Sequence, residues 1–160
     1  MTDNYFVKNT EENAPPHQQE ISPEQWIAFF EECLQSIADV TQLLVKLEKN
    51  DSEMGSLLDP IFRKVHTIKG GLSLVPNSQE LASILHSLES VFADFKDQTA
   101  KIEKKNFDFY YYLLGHIQSH LHDLQNGVTF TELQREEQKL IQFALLKIKL
   151  QNGSLANVKP

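Results

Sequence analysis

The segment IFRKVHTIKGGLSLV, residues 61–75, is where this sequence could do chemistry. His66 offers an imidazole, a nucleophile that can be neutral near pH 7 where an amine or a hydroxyl is poorly suited. Lys69 follows three residues on, so on a helix its ammonium is a surface neighbour of the imidazole. Ile61, Val65, Ile68 and Leu72 gather on one side at helical pitch, which puts His66 and Lys69 on the flank of a core-facing helix. Gly70 and Gly71 come next. A glycine inside a helix costs about 1 kcal/mol relative to alanine, so two in a row need a reason. Gly70, one turn beyond His66, has no side chain to cover the imidazole and leaves room for a bulky partner. The plainer alternative is that the two glycines end the helix as a cap. A local rule broken beside a reactive group is the pattern expected of a functional site.

These residues need helices to position them, and the chain supplies five apolar stripes. Residues 1–21 are polar, contain Pro15 and Pro16 and show no period, which predicts a flexible tail. Ser22 as cap, Pro23 at the first position and Gln25 three on from the serine open a first helix, about 23–49. Its stripe is Trp26, Phe29, Phe30, Cys33, Ile37, Val40, Leu44 and Leu47, and Asn50, Asp51 and Ser52 break it. Asp59 and Pro60 suggest the start of the second helix, after a short helical turn at 53–58. Its apolar face is Ile61, Phe62, Val65, Ile68 and Leu72, and it should end near 73. Asn77 and Glu80 form a capping-box pattern for a third helix carrying Leu81, Ile84, Leu85, Leu88, Val91, Phe92 and Phe95.

A fourth helix, about 106–126, places Phe107, Tyr110, Tyr111, Leu114, Ile117, Leu121 and Leu124 on one face, with Gly127 as its cap. Thr129 with Glu132 signals a fifth, about 130–151, with Leu133, Leu140, Ala144, Leu145 and Ile148, ended by Gly153. The expected fold is all-α: an antiparallel up-down-up-down four-helix bundle over residues 22–127 with an additional C-terminal fifth helix. That helix, within 128–152, either packs beside the bundle or leads to a linker. Residues 153–160 are expected to be a tail.

Composition agrees with a soluble helical domain. Of 160 residues, 41% are hydrophobic and 23% charged, enough for one core and a wet surface. The net charge of −7 repels phosphate backbones and argues against nucleic-acid binding. Cys33 is the single cysteine and lies on the first stripe, so it reads as core packing. The N-terminus lacks a basic start followed by an apolar run, and no apolar stretch approaches the roughly 18 residues of a membrane span. A cytoplasmic protein without membrane insertion is expected.

His66-Thr67-Ile68-Lys69-Gly70 resembles the H-x-x-K-G signature of histidine-containing phosphotransfer (HPt) domains. The preceding Ile61-Phe62-Arg63 is similar to the N-terminal P1 domain of CheA-type chemotaxis histidine kinases. In that branch the third helix carries a further histidine with a glutamate three residues on, as His86 and Glu89 do here. The resemblance covers about residues 24–125. The stretch Leu72–Ser78 departs from it, with Pro76 where the family has smaller residues and glycine, so the end of the second helix is expected to differ.

The resemblance implies a substrate and carrier rather than an enzyme, without a cofactor. His66 would accept a phosphoryl group from a histidine-kinase ATP-binding domain, in the same or another chain, and pass it to a response-regulator receiver aspartate. Glu89 is the candidate to hold the proton of one ring nitrogen, His86 to extend the network, and Lys69 to neutralise the moving phosphoryl oxygens. A P-loop is absent, so the ATP chemistry must lie elsewhere. A free-standing relay carrier between receiver domains and an unphosphorylated docking module remain as alternatives. In isolation the chain is expected to be monomeric.

A metal bundle is the rival of another class. Di-iron bundles need Glu-x-x-His pairs, and here no histidine has a glutamate three residues before it. His116 and His120 are one turn apart on the fourth helix but lack a third ligand nearby, so they read as solvent-facing, and no metal site is expected. The Tyr110–Tyr112 run reads as core plus one exposed ring.

Overall fold

The computed structural model describes residues 21–49 and 54–158. Among these residues five α-helices carry the fold: α1 Pro23–Lys49, α2 Met54–Gly71, α3 Gln79–Lys96, α4 Phe107–Gln125 and α5 Glu132–Val158. Short 3-10 turns lie at Leu72–Leu74 and Lys104–Asn106, and no strand occurs among the described residues. Most of the N-terminal stretch read as a tail, and the break at 50–52, fall outside the described residues.

Cross-helix contacts give the direction of each packing. Asp59 meets Lys96 and His66 meets Glu89, so α2 and α3 run antiparallel. Phe29 lies against Gly71 and Asp39 against Lys64, so α1 and α2 do likewise. Tyr112 bonds Glu137 and Asp123 bonds Gln134, which makes α4 and α5 antiparallel. The core is a continuous apolar cluster from all five helices, with Phe30, Ile61, Leu81, Leu85 and Tyr110 all but sealed from solvent.

α5 lies along α3 and runs parallel to it. Gln138 donates to the Glu80 carbonyl, Gln142 bonds Ser83 and Ser87, and Lys149 and Asn152 both reach Asp94. Among the residues of α5 whose side chains are described, the buried apolar ones are Ile141, Leu145 and Ile148. The helix therefore docks through a mostly polar seam. Leu133 and Leu140, expected on its inner face, point to solvent instead.

Several expected boundaries move, each for a local reason. α2 does not begin at Asp59. It is helical from Met54, and Pro60 lies inside it, two turns from the start, where its ring supplies no N–H for the carbonyl four residues back. α2 ends at Gly71, not near 73, and a 3-10 turn leads to Pro76. Asn77 is not the cap of α3. It takes a left-handed conformation (φ 61°), which asparagine tolerates better than most residues, and Ser78 is the cap residue. The buried Ser78 hydroxyl lies 2.7 Å from the carbonyl oxygens of both Leu72 and Val75, tying the α2–α3 connection together.

The reciprocal cap of α5 is Thr131 with Gln134, not Thr129 with Glu132. Gly153 does not end α5, which continues through it to Val158, so the expected tail at 153–160 is largely helix. The Ser22–Gln25 box does form, with each backbone N–H donating to the other side chain. Gly127 caps α4 in a left-handed conformation (φ 69°), with Val128 N–H donating to the Asp123 carbonyl and Gly127 N–H to that of Leu124.

Candidate functional site

Antiparallel packing of α2 on α3 brings His66 opposite Glu89. The buried Val65 and Ile68 on α2 and Leu85, Leu88 and Phe92 on α3 set the spacing of the two backbones. The flank of that seam is polar. His66 Nδ1 lies 2.8 Å from Glu89 Oε2, and Lys69 Nζ donates to Glu89 Oε1 at 3.0 Å. One carboxylate thus holds both the imidazole and the ammonium.

The three groups differ in exposure. Glu89 is the half-buried hub, with 14% of its side chain exposed, while 62% of the His66 side chain faces solvent. Burial of Glu89 works against its charge, but the hydrogen bonds and charges of Lys69 and His66 outweigh it and hold the carboxyl below its usual pKa. An ionised carboxylate only accepts hydrogen bonds. When His66 is neutral, Nδ1 must therefore carry the proton it donates to Glu89. Nε2 is then left with its lone pair, on the exposed imidazole.

Two neighbours shape the open side. A methyl group built on Gly70 would meet nothing within 4 Å, so the space beside His66 is free. Gly71 differs, because a methyl group there would lie 2.6 Å from the Phe29 ring. Gly71 has right-handed helical backbone angles (φ −65°), so it is not a left-handed cap. Its missing side chain makes room for the Phe29 ring of α1. The paired glycines thus serve different ends, one toward solvent and one toward the core.

Phe62 was assigned to the core face but is only half-buried. It lies one turn before His66, its ring nearly parallel to the imidazole (13°) at a centroid distance of 6.3 Å. Lys96 from α3 sits 4.6 Å above the Phe62 ring and also reaches Asp59. The (i, i+4) spacing of Phe62 and His66 was the available signal for this contact. His86 is exposed and has no hydrogen bond to His66, Lys69 or Glu89. It lies in the groove between α3 and α5, with Ser87, Ser90 and Gln142. The expected four-residue cluster is a three-residue one in this structure.

His116 and His120 are not solvent-facing. His120 is buried and stacks on Phe130 with ring centroids 3.6 Å apart, and His116 Nδ1 lies 3.1 Å from Glu137 Oε1. Among the described residues no cluster of three metal-ligating side chains occurs, and no helix is long and apolar enough to cross a membrane. Tyr110 is buried and Tyr112 exposed, as the pattern suggested. Cys33 is buried, and burial pushes its thiol pKa up to about 11.

Fold and site together define a helical bundle that displays one carboxylate-anchored histidine on its flank. The chain belongs to the Hpt domain family, whose model matches residues 24–127. It is also similar to the chemotaxis protein CheA of Listeria monocytogenes and that of Listeria innocua, each 28% identical over 99 residues. The match takes in 62% of this chain but spans only 16% of either relative.

Proposed function

We propose that this chain is a phosphocarrier of two-component signalling. His66 Nε2 accepts a phosphoryl group from a histidine-kinase ATP-binding domain and yields it to a receiver-domain aspartate of a response regulator. The observation that carries the reading is the 2.8 Å contact between His66 Nδ1 and Glu89, which leaves Nε2 as the nucleophile. As Nε2 attacks the γ-phosphorus, the N–P bond forms and the P–O bond to the departing ADP breaks. The ring keeps its Nδ1 proton and gains positive character, which the Glu89 carboxylate offsets.

Lys69 holds the second oxygen of Glu89 and has further N–H donors for the phosphoryl oxygens. The open space at Gly70 admits the partner domain. The reaction's ATP site belongs to another domain, so the chain acts as substrate and carrier rather than as a catalyst. Such a carrier works in the cytoplasm beside its kinase and regulator. The His86 side chain lies on the other flank of α3, apart from the His66–Glu89–Lys69 cluster.

The test is phosphorylation by a CheA-type kinase core that lacks its own HPt domain. With ATP, the wild type should gain one acid-labile phosphoryl group by intact mass, and His66→Gln none. If the core phosphorylates its own HPt domain but leaves this chain untouched, donation by the kinase is wrong. Phosphorylation from a phosphorylated receiver domain would then identify a relay carrier.

A further inference from the structure

α5 carries apolar residues on two opposite sides. Ile141, Leu145 and Ile148 are buried against the bundle, while Leu133, Leu140, Phe143 and Leu150 stand 63–82% exposed away from it, Phe143 at the mouth of the α3–α5 groove. A run of large apolar side chains over about five turns on one helix face is unusual for a surface that stays wet. The six positions along its axis are Leu133, Glu136, Leu140, Phe143, Lys147 and Leu150. Their spacing alternates three and four, the seam of a two-stranded coiled coil.

The order of these six residues is self-complementary. Reversed, the seam reads Leu150, Lys147, Phe143, Leu140, Glu136, Leu133. Leu133 and Leu150, Glu136 and Lys147, and Leu140 and Phe143 are each centred on one point, between Ile141 and Gln142. A second copy laid antiparallel about a two-fold axis at that point makes four apolar layers. The remaining two layers each set a glutamate against a lysine. A parallel pairing would instead set Glu136 against Glu136 and Lys147 against Lys147. Among the described residues Glu136 pairs with the exposed Lys139 on its own helix, 3.1 Å away, a solvent-screened contact that is easily exchanged.

We infer that the outer face of α5 is a homodimer interface, closed by antiparallel pairing with α5 of a second copy. Each helix is then sandwiched between its own α3 and its partner, as an isologous two-fold contact requires. The dimer departs from the monomer expected by resemblance. It is independent of the phosphocarrier reading, since no seam residue belongs to the His66 cluster, and each His66 stays on its own α2–α3 flank.

Charge exchange tests the pairing on the full 160-residue chain. Sedimentation equilibrium from about 10 µM to about 1 mM should show wild type passing from monomer to dimer. Glu136→Lys and Lys147→Glu each create two like-charge layers per dimer, and each should weaken self-association by about tenfold or more. Circular dichroism should show both variants folded, as expected for exposed sites. Mixing the two variants restores opposite charge in both layers, and the mixture should dimerise like wild type. A wild type that stays monomeric to about 1 mM overturns the proposal. So does a dimer that either single exchange leaves intact, or a mixture that does not recover.

Discussion

At the scale of single residues, the site depends on one carboxylate serving two donors at once. Glu89 accepts from Lys69 on one oxygen and from His66 on the other. Glu89→Gln keeps the size but removes the charge, and its amide can as readily donate to Nδ1 as accept from it. The imidazole would then populate both tautomers, and the developing ring charge would lose its counterion. Phosphorylation of His66 should slow by about 10- to 100-fold, the cost seen when a metal-bound histidine loses the partner that orients it. The ring nitrogen shifts in an NMR spectrum should move from a dominant Nδ1–H form toward a mixture. An unchanged rate with unchanged nitrogen shifts would remove Glu89 from the mechanism. His66, Lys69 and Gly70 were legible as candidates because their types and spacing are local signals, while Glu89 and His86 were legible only through the family resemblance. The separation of His86 from the others was not legible. His86 and Glu89 are three apart on α3, yet the side chain of one turns toward α2 and that of the other toward α5. Only the position of α5 reveals that.

At the scale of helices, the two glycines that close α2 make opposite predictions. Gly70→Ala adds a methyl group to open space in a right-handed helical conformation, so it should raise stability by about 0.5–1 kcal/mol through helix propensity. Gly71→Ala places its methyl group against the Phe29 ring and should lower stability, because α1 must shift or the ring must turn. Urea unfolding of the two variants reads both signs, and equal effects would show that neither glycine has a specific packing role. Apolar period located all five helices, because the buried faces of α1 to α4 are built almost wholly from apolar residues. It misled at α5. There the inner seam uses Gln138, Gln142, Lys149 and Asn152, while leucines and a phenylalanine line the outside. The cap at Ser22, which closes a reciprocal pair with Gln25, was readable. Other caps were misplaced by one or two residues where a left-handed turn or a neighbouring threonine offered the same pattern.

At the scale of the whole molecule, the attachment of α5 to the bundle contains a buried base that titrates out of range. His120 on α4 stacks on Phe130 in the connection to α5, and its Nδ1 has no partner. Burial, then the charge of His116, lowers its pKa to about 4, only partly opposed by Asp123. His116 is itself held to Glu137, which Tyr112 also bonds, so this corner joins three histidine-bearing or acidic groups from α4 and α5. The folded protein keeps His120 neutral, whereas the unfolded chain protonates it near the ordinary value of 6.5. Between those two values the unfolded state binds more protons, so stability falls as pH drops from about 6.5 to about 4 and levels off below. The loss should be on the order of 2 kcal/mol, less than the full shift implies because a proton can be accommodated by partial opening of the corner. His120→Gln removes this titration. Urea denaturation at pH 7 and at pH 4.5 should therefore show a smaller loss on acidification in the variant than in wild type, whatever its stability at pH 7. Identical losses in the two proteins would mean that His120 is not the group through which acid loosens the seat of α5.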